Sequence, residues 1–278
     1  MIKRVSIISW VFLYMVSFFT IVVTFYFKDY EYLLKIMTKE NGFFESLSVL
    51  FLFTIFILGL NFILKNKKVD KIIKILVFLF SCLVFVAAME EISWGQHIFN
   101  FQTNDFFKLH NYQKETNLHN LIDGNIFSSI IYSSVYTLFV FIPLFVYLLK
   151  DKIKILDTIY IYLPSFHVIL VILYASSFQL YFYEDMGVII DFITLVLGVI
   201  LFIITLSLKK LWDKYIFIHF SYVLISIFIF MACYKIFSFY NMQYEIREMF
   251  VIFATLIYFI ELSKKISGLY KQNTHQNF

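Results

Sequence analysis

Apolar runs long enough to cross about 30 Å of hydrocarbon as helix recur along this chain, at residues 7–27, 47–64, 72–89, 126–149, 159–182, 188–208, 216–237 and 250–262. A backbone inside a bilayer must satisfy its own N–H and C=O groups, which leaves only helices or closed barrels. The runs lack the two-residue alternation of a membrane strand. The fold class expected is therefore all-α, a polytopic helical membrane bundle of about eight transmembrane helices with a short last span. Composition agrees. With 61% hydrophobic and 15% charged residues and a mean hydropathy of +0.82, the chain has too little polar surface for a soluble globule of its length.

Lysines mark every second connection. Lys3 and Arg4 precede the first run, and Lys65, Lys67, Lys68, Lys71 and Lys74 follow the second. Lys150, Lys152 and Lys154 follow the fourth, Lys209, Lys210 and Lys214 the sixth, and Lys264, Lys265 and Lys271 close the last. The positive-inside rule assigns these segments, and with them both termini, to the cytoplasm. The remaining connections hold most of the acids and face outward. The first run exceeds twenty residues, and Thr24-Phe25-Tyr26-Phe27 lacks the small residues of a cleavage site, so it reads as an uncleaved anchor rather than a signal peptide. No repeat or linker divides the chain: residues 1–271 read as one integral membrane domain and residues 272–278 as a polar, disordered tail. Cys82 and Cys233 fall inside apolar runs and read as small buried hydrophobes. Tyr30, Leu33, Leu34 and Met37 recur at helical spacing, which suits either a helix lying in the headgroup region or a simple connector.

The polar residues concentrate in the outward segment 89–125. Glu90-Glu91-Ile92-Ser93-Trp94-Gly95-Gln96-His97 ends the third run, and Glu115-Thr116-Asn117-Leu118-His119-Asn120 precedes the fourth. If the third helix continues past Met89, then Glu90, Ser93, Trp94 and His97 share one face, with Glu91 turned aside. Glu115 and His119 are four apart, a spacing that lets a carboxylate and an imidazole meet on a helix to bind a metal or to make the histidine more basic. The same spacing is common in solvated helix contacts. The catalytic candidates are Glu90, Glu91, Glu115 and His119. Glu40, Glu45, Trp94, Gln96, Asn117 and Asn120 are substrate-binding candidates, since amides beside an imidazole fix its tautomer or grip a hydroxyl. A divalent metal ion is one cofactor the site would suit, with Glu90, Glu115 and His119 as candidate ligands. Glu184, Asp185, Glu245 and Glu248 read as solvated caps that can complete a cavity. Asp191 and Lys235 read as a pair across two helices. His110 reads as plain loop, His167 as a structural hydrogen-bonding group, and His219 and His275 as remote from the outward site.

Three stretches, Glu40-Asn41-Gly42-Phe43-Phe44-Glu45, Glu90 to Gln96 and Glu115 to Asn120, resemble a family of uncharacterised bacterial multi-spanning membrane proteins. The resemblance covers the N-terminal half in motifs and the rest in hydropathy. It implies a multi-pass protein of the bacterial cytoplasmic (inner) membrane and supplies no reaction. The family pattern has arginine at the position of His97 and an acid at that of Asn41, so the resemblance favours Glu90, Glu91, Glu115 and His119.

Three function classes fit these residues. A membrane-embedded enzyme would use the outward carboxylates and histidine on a lipid or lipid-linked substrate. An ion-coupled transporter would bind protons or cations with them, although transporters place such groups deep and within repeats. A non-catalytic assembly or immunity protein would offer the loops to a partner. Beyond the lipid bilayer no partner is indicated, and no phosphate loop or nucleic-acid motif is present.

Overall fold

The structure, a computed structural model, describes residues 2–26, 42–178, 186–212, 214–232 and 242–275. At its centre is a helix apolar all round, as a fully enclosed helix must be. Every residue of this helix from Val168 to Ala175 is at most 1% exposed. In chain order the helices are α1 (Ile2–Tyr26), α2 (Phe43–Lys65), α3 (Lys71–Glu91), α4 (Gly124–Tyr136), α5 (Ile142–Leu149), the central α6 (Phe166–Ala175), α7 (Met186–Leu208), α8 (Lys214–Ala232) and α9 (Met242–His275). A wider π turn, Thr137–Phe141, joins α4 to α5. Among the described residues there is no strand.

Local chemistry sets several helix ends. Asp70 caps α3 by accepting from the Ile72 amide at 2.7 Å, which satisfies one of the donors that every helix start leaves open. Asn66 closes α2 by returning its side-chain amide to the Phe62 carbonyl at 2.9 Å. Around α6 the core joins Leu13 of α1, Tyr136 of α4, Phe202 of α7, Val223 of α8 and Phe250 of α9. A smaller cluster ties α2, α3 and α9 together through Ile55, Ala88 and Phe259. α3 buries only a thin stripe, Ser81, Val84, Ala88 and Glu90, and leaves Ile72, Leu76, Leu79 and Leu83 exposed. An exposed apolar surface of this extent marks a side that faces a membrane or another protein.

Among the described residues three helices, Phe43–Lys65, Lys71–Glu91 and Ile126–Leu149, are long and apolar enough to cross a membrane. Two expected boundaries are corrected. The fifth run is not one continuous helix from Ile159: a short helix, Lys154–Tyr160, ends ahead of Pro164, and α6 begins only at Phe166. Proline excludes its predecessor from helix geometry and ends the run there. The last helix is not short, because α9 extends from Met242 through His275, well beyond the apolar run at both ends and into the residues expected to form a tail. The helical spacing at Tyr30–Met37 lies outside the described residues, as do Glu184, Asp185, Cys233 and Lys235.

Gly59 sets the approach of α2 to α3. A Cβ there would stand 3.2 Å from the Ser81 Cβ and closer still to its hydroxyl, with Phe259 of α9 also in contact. Small residues let membrane helices approach in this way. Gly59→Leu is expected to lower stability by about 1–3 kcal/mol through overpacking, read as a lower unfolding midpoint in detergent. An unchanged midpoint would mean that the three helices are not packed this closely.

Candidate functional site

The end of α3 is where the polar residues gather. α3 stops at Glu91, and the chain then takes three successive left-handed residues, Ser93 (φ 46°), Trp94 (φ 55°) and Gly95 (φ 83°). Such a backbone costs on the order of 1 kcal/mol at each non-glycine residue. The expected continuous helix through His97 is therefore corrected. Ser93 and Trp94 reach their partners from a reversed turn, and a four-residue helix, Gln96–Phe99, follows. The side chain of His97 lies outside the described residues.

Buried hydrogen bonds hold this turn against segment 111–120. Ser93 Oγ donates to Glu115 Oε2 at 2.5 Å, and Asn117 Nδ2 donates to both Ser93 Oγ at 3.1 Å and Glu115 Oε2 at 3.3 Å. Asn111 Nδ2 donates to the Asn117 carbonyl and side chain, each at 2.8 Å. Gln96 accepts from the Thr116 amide at 2.8 Å and donates to Thr103 at 2.7 Å. Asn120 donates to Gln113. Gln96, Asn117 and Asn120 thus hold the loop together, and Asn117 is 1% exposed.

Glu90 is the second focus. Its Oε1 accepts from the Trp94 indole at 2.5 Å. Its Oε2 accepts from the Leu118 amide at 2.5 Å and the His119 amide at 3.1 Å, and lies 3.4 Å from His119 Nδ1. The expected pairing of Glu115 with His119 on one helix face is corrected, because residues 115–118 are not helical and a 3-10 turn begins only at His119. Glu115 turns to Ser93 and Asn117, whereas His119 turns to Glu90.

Glu91 points to α9. Its carboxyl and that of Glu248 are hydrogen-bonded, with Glu45 and Glu245 close enough to act on it electrostatically. Arg247, 2% exposed, lies with its guanidinium 3.5 Å from the centre of the Tyr132 ring and interacts with Glu248. His119 also interacts electrostatically with Glu248, so the Glu90 and Glu91 groups form one connected site. Glu245 and Glu248 are members of it rather than isolated caps.

Among the described residues, no group of three or more His, Cys, Asp or Glu side chains is placed to hold a metal ion. Glu90, Glu115 and His119 do not converge as a ligand set. Glu40 lies outside the described residues, and the side chain of Asp191 does too. His110 is exposed against Phe106. His219 takes the Tyr14 hydroxyl at 3.0 Å and stacks on Trp10, with His167 nearby, within the bundle. Sequence reasoning missed Arg247, Tyr132 and Asn111 as parts of the site, and grouped Ser93 with Glu90 without giving it a role. Arg247 carried a signal, being one of only two arginines in a lysine-rich chain and standing between glutamates at the start of an apolar run.

No family model, curated protein or solved structure matches this chain. Fold and site together define an all-helical protein, with helices long and apolar enough to cross a membrane and a carboxylate–imidazole site at one end of α3.

Proposed function

We propose that this chain is a multi-pass enzyme of a bacterial cytoplasmic membrane, acting at the outer face on a lipid or lipid-linked substrate. In this reading the chain crosses eight times, both termini are cytoplasmic, and the resemblance to the uncharacterised bacterial family holds. The observation that carries the reading is the setting of Glu90, whose carboxylate is fixed by the Trp94 indole and two backbone amides and faces His119 Nδ1. A carboxylate at Nδ1 leaves Nε2 with the free lone pair and stabilises the imidazolium that forms when Nε2 takes a proton.

His119 then acts as general base on a water or substrate hydroxyl and returns that proton to the leaving oxygen. Glu90 orients the ring without changing its own protonation. In this reading the neighbouring pair Glu91 and Glu248 is a second proton-exchanging group, with Arg247 close enough to act on it electrostatically. The test is turnover of a lipid panel by purified protein and by His119→Ala. Turnover by the wild type that vanishes in the variant supports the reading, and full retention removes His119 from the mechanism.

The pairing of Glu91 with Glu248 across α3 and α9 favours a second reading, an ion-coupled carrier. Solute uptake into proteoliposomes without lipid turnover would select it. A non-catalytic assembly or immunity protein would tolerate loss of Glu90 and of His119 alike.

The orientation makes its own prediction. A cysteine at Lys67 is expected to resist an impermeant thiol reagent in intact cells, and one at the exposed Asn104 to react. The opposite pattern would invert the chain and move the site to the cytoplasm.

A further inference from the structure

At the opposite end of α2 and α9 from the glutamates, the two helices border a groove of about 420 Å³. Its character changes along the helix axes. Leu58 and Phe62 of α2 and Phe259 and Ile260 of α9 form an apolar floor, while Lys65, Ser263 and Lys264 stand toward the helix ends. From Leu58 to Lys65 the rise is about 10 Å at 1.5 Å per residue, the depth over which a lipid passes from acyl chain to phosphate. No acidic residue lines the groove, and Glu261, the nearest acid along α9, is bonded to Ser165 at 3.1 Å while acting electrostatically on Lys264 and Lys265 from outside the groove. Gly268 borders the groove, and a Cβ added there would meet nothing within 4 Å. The space is therefore open rather than filled by packing.

We propose that this groove binds one anionic phospholipid, with its phosphate between Lys65 and Lys264 and the upper part of one acyl chain against Phe62 and Phe259. Basic pockets between membrane helices on the cytoplasmic side take anionic headgroups in this way. A soluble anion would use the lysines but leave the apolar floor wet, which argues for a lipid as occupant. The proposal rests on the membrane-spanning reading and is independent of the catalytic one, because the groove lies at the other end of the bundle.

The experiment is a native mass-spectrometry titration of the full chain in detergent with phosphatidylglycerol, phosphatidylcholine or inorganic phosphate. Phosphatidylglycerol is expected to bind as a discrete adduct and phosphatidylcholine much more weakly. The Lys65→Gln, Lys264→Gln double variant is expected to weaken phosphatidylglycerol roughly ten- to thirty-fold, from the usual contribution of two lysines at an anionic surface. Gly268→Phe should obstruct the groove and weaken the lipid comparably, whereas Gly268→Ala should bind as the wild type. Equal binding of phosphatidylcholine, displacement of the lipid by inorganic phosphate, or unchanged affinity in both the double variant and Gly268→Phe would each overturn the proposal. Measuring turnover on the same variants separates this site from the catalytic one, since loss of lipid binding with turnover intact leaves the His119 reading untouched.

Discussion

The Glu90→Gln, His119→Ala double variant is expected to lose no more activity than His119→Ala alone, with each single change lowering turnover by about 10²–10⁴-fold. Residues that act as one unit give such non-additive losses. Glutamine keeps the size of Glu90, and its one oxygen can still accept from the Leu118 and His119 amides. Its NH₂ group then faces the Trp94 indole N–H, donor against donor, and the negative charge beside His119 Nδ1 is gone. The imidazole loses its partner for the charged state while the chain around it stays in place. Circular dichroism and a monodisperse profile in detergent establish that each variant is folded. Additive losses in the double variant, or full activity in Glu90→Gln, would show that the two side chains do not work together.

Asn117→Leu is expected to destabilise the protein by about 3 kcal/mol or more, as a fall in the unfolding midpoint in detergent. The Asn117 side chain donates to Ser93 and Glu115 and accepts from Asn111, so leucine removes three buried hydrogen bonds at once, while Ser93 still donates to Glu115 and Asn111 still reaches the main-chain carbonyl of residue 117. Glu115 is 7% exposed, and weakening the donor set of a buried carboxylate is costly. A midpoint equal to that of the wild type would mean that the loop is held by something other than this network.

The helical class and three helices long and apolar enough to cross a membrane were legible in the sequence, because a long apolar run without two-residue alternation favours helix. The ends of the runs were not. Ile159 and its neighbours are apolar, but hydropathy does not register that Pro164 breaks the helix. α9 continues past Leu262 because lysines and serines are no obstacle to a helix that projects beyond an apolar layer. Segment 89–125 was legible as a concentration of polar residues through its composition alone. Its pairings were not, since helical spacing presumes a helix and Gly95 was the only sign in the sequence of a reversed turn. Glu248 and Arg247 meet Glu91 and Tyr132 across more than a hundred residues of chain, a contact set by packing that no spacing within one segment can disclose.

The π turn between α4 and α5 changes the arithmetic of that span. Tyr132, Tyr136, Val140 and Leu144 are all buried at intervals of four residues, although an α-helix repeats every 3.6. Over the twelve residues from Tyr132 to Leu144 a regular helix would drift by about 120° and carry one end of the stripe to the outer surface. The wide turn absorbs about one residue, which cuts the drift to about 20°. A single locally unwound turn thus keeps a four-residue rhythm in phase across the whole span, so that Tyr132 meets Arg247 at one end while Leu144 still packs in the core at the other.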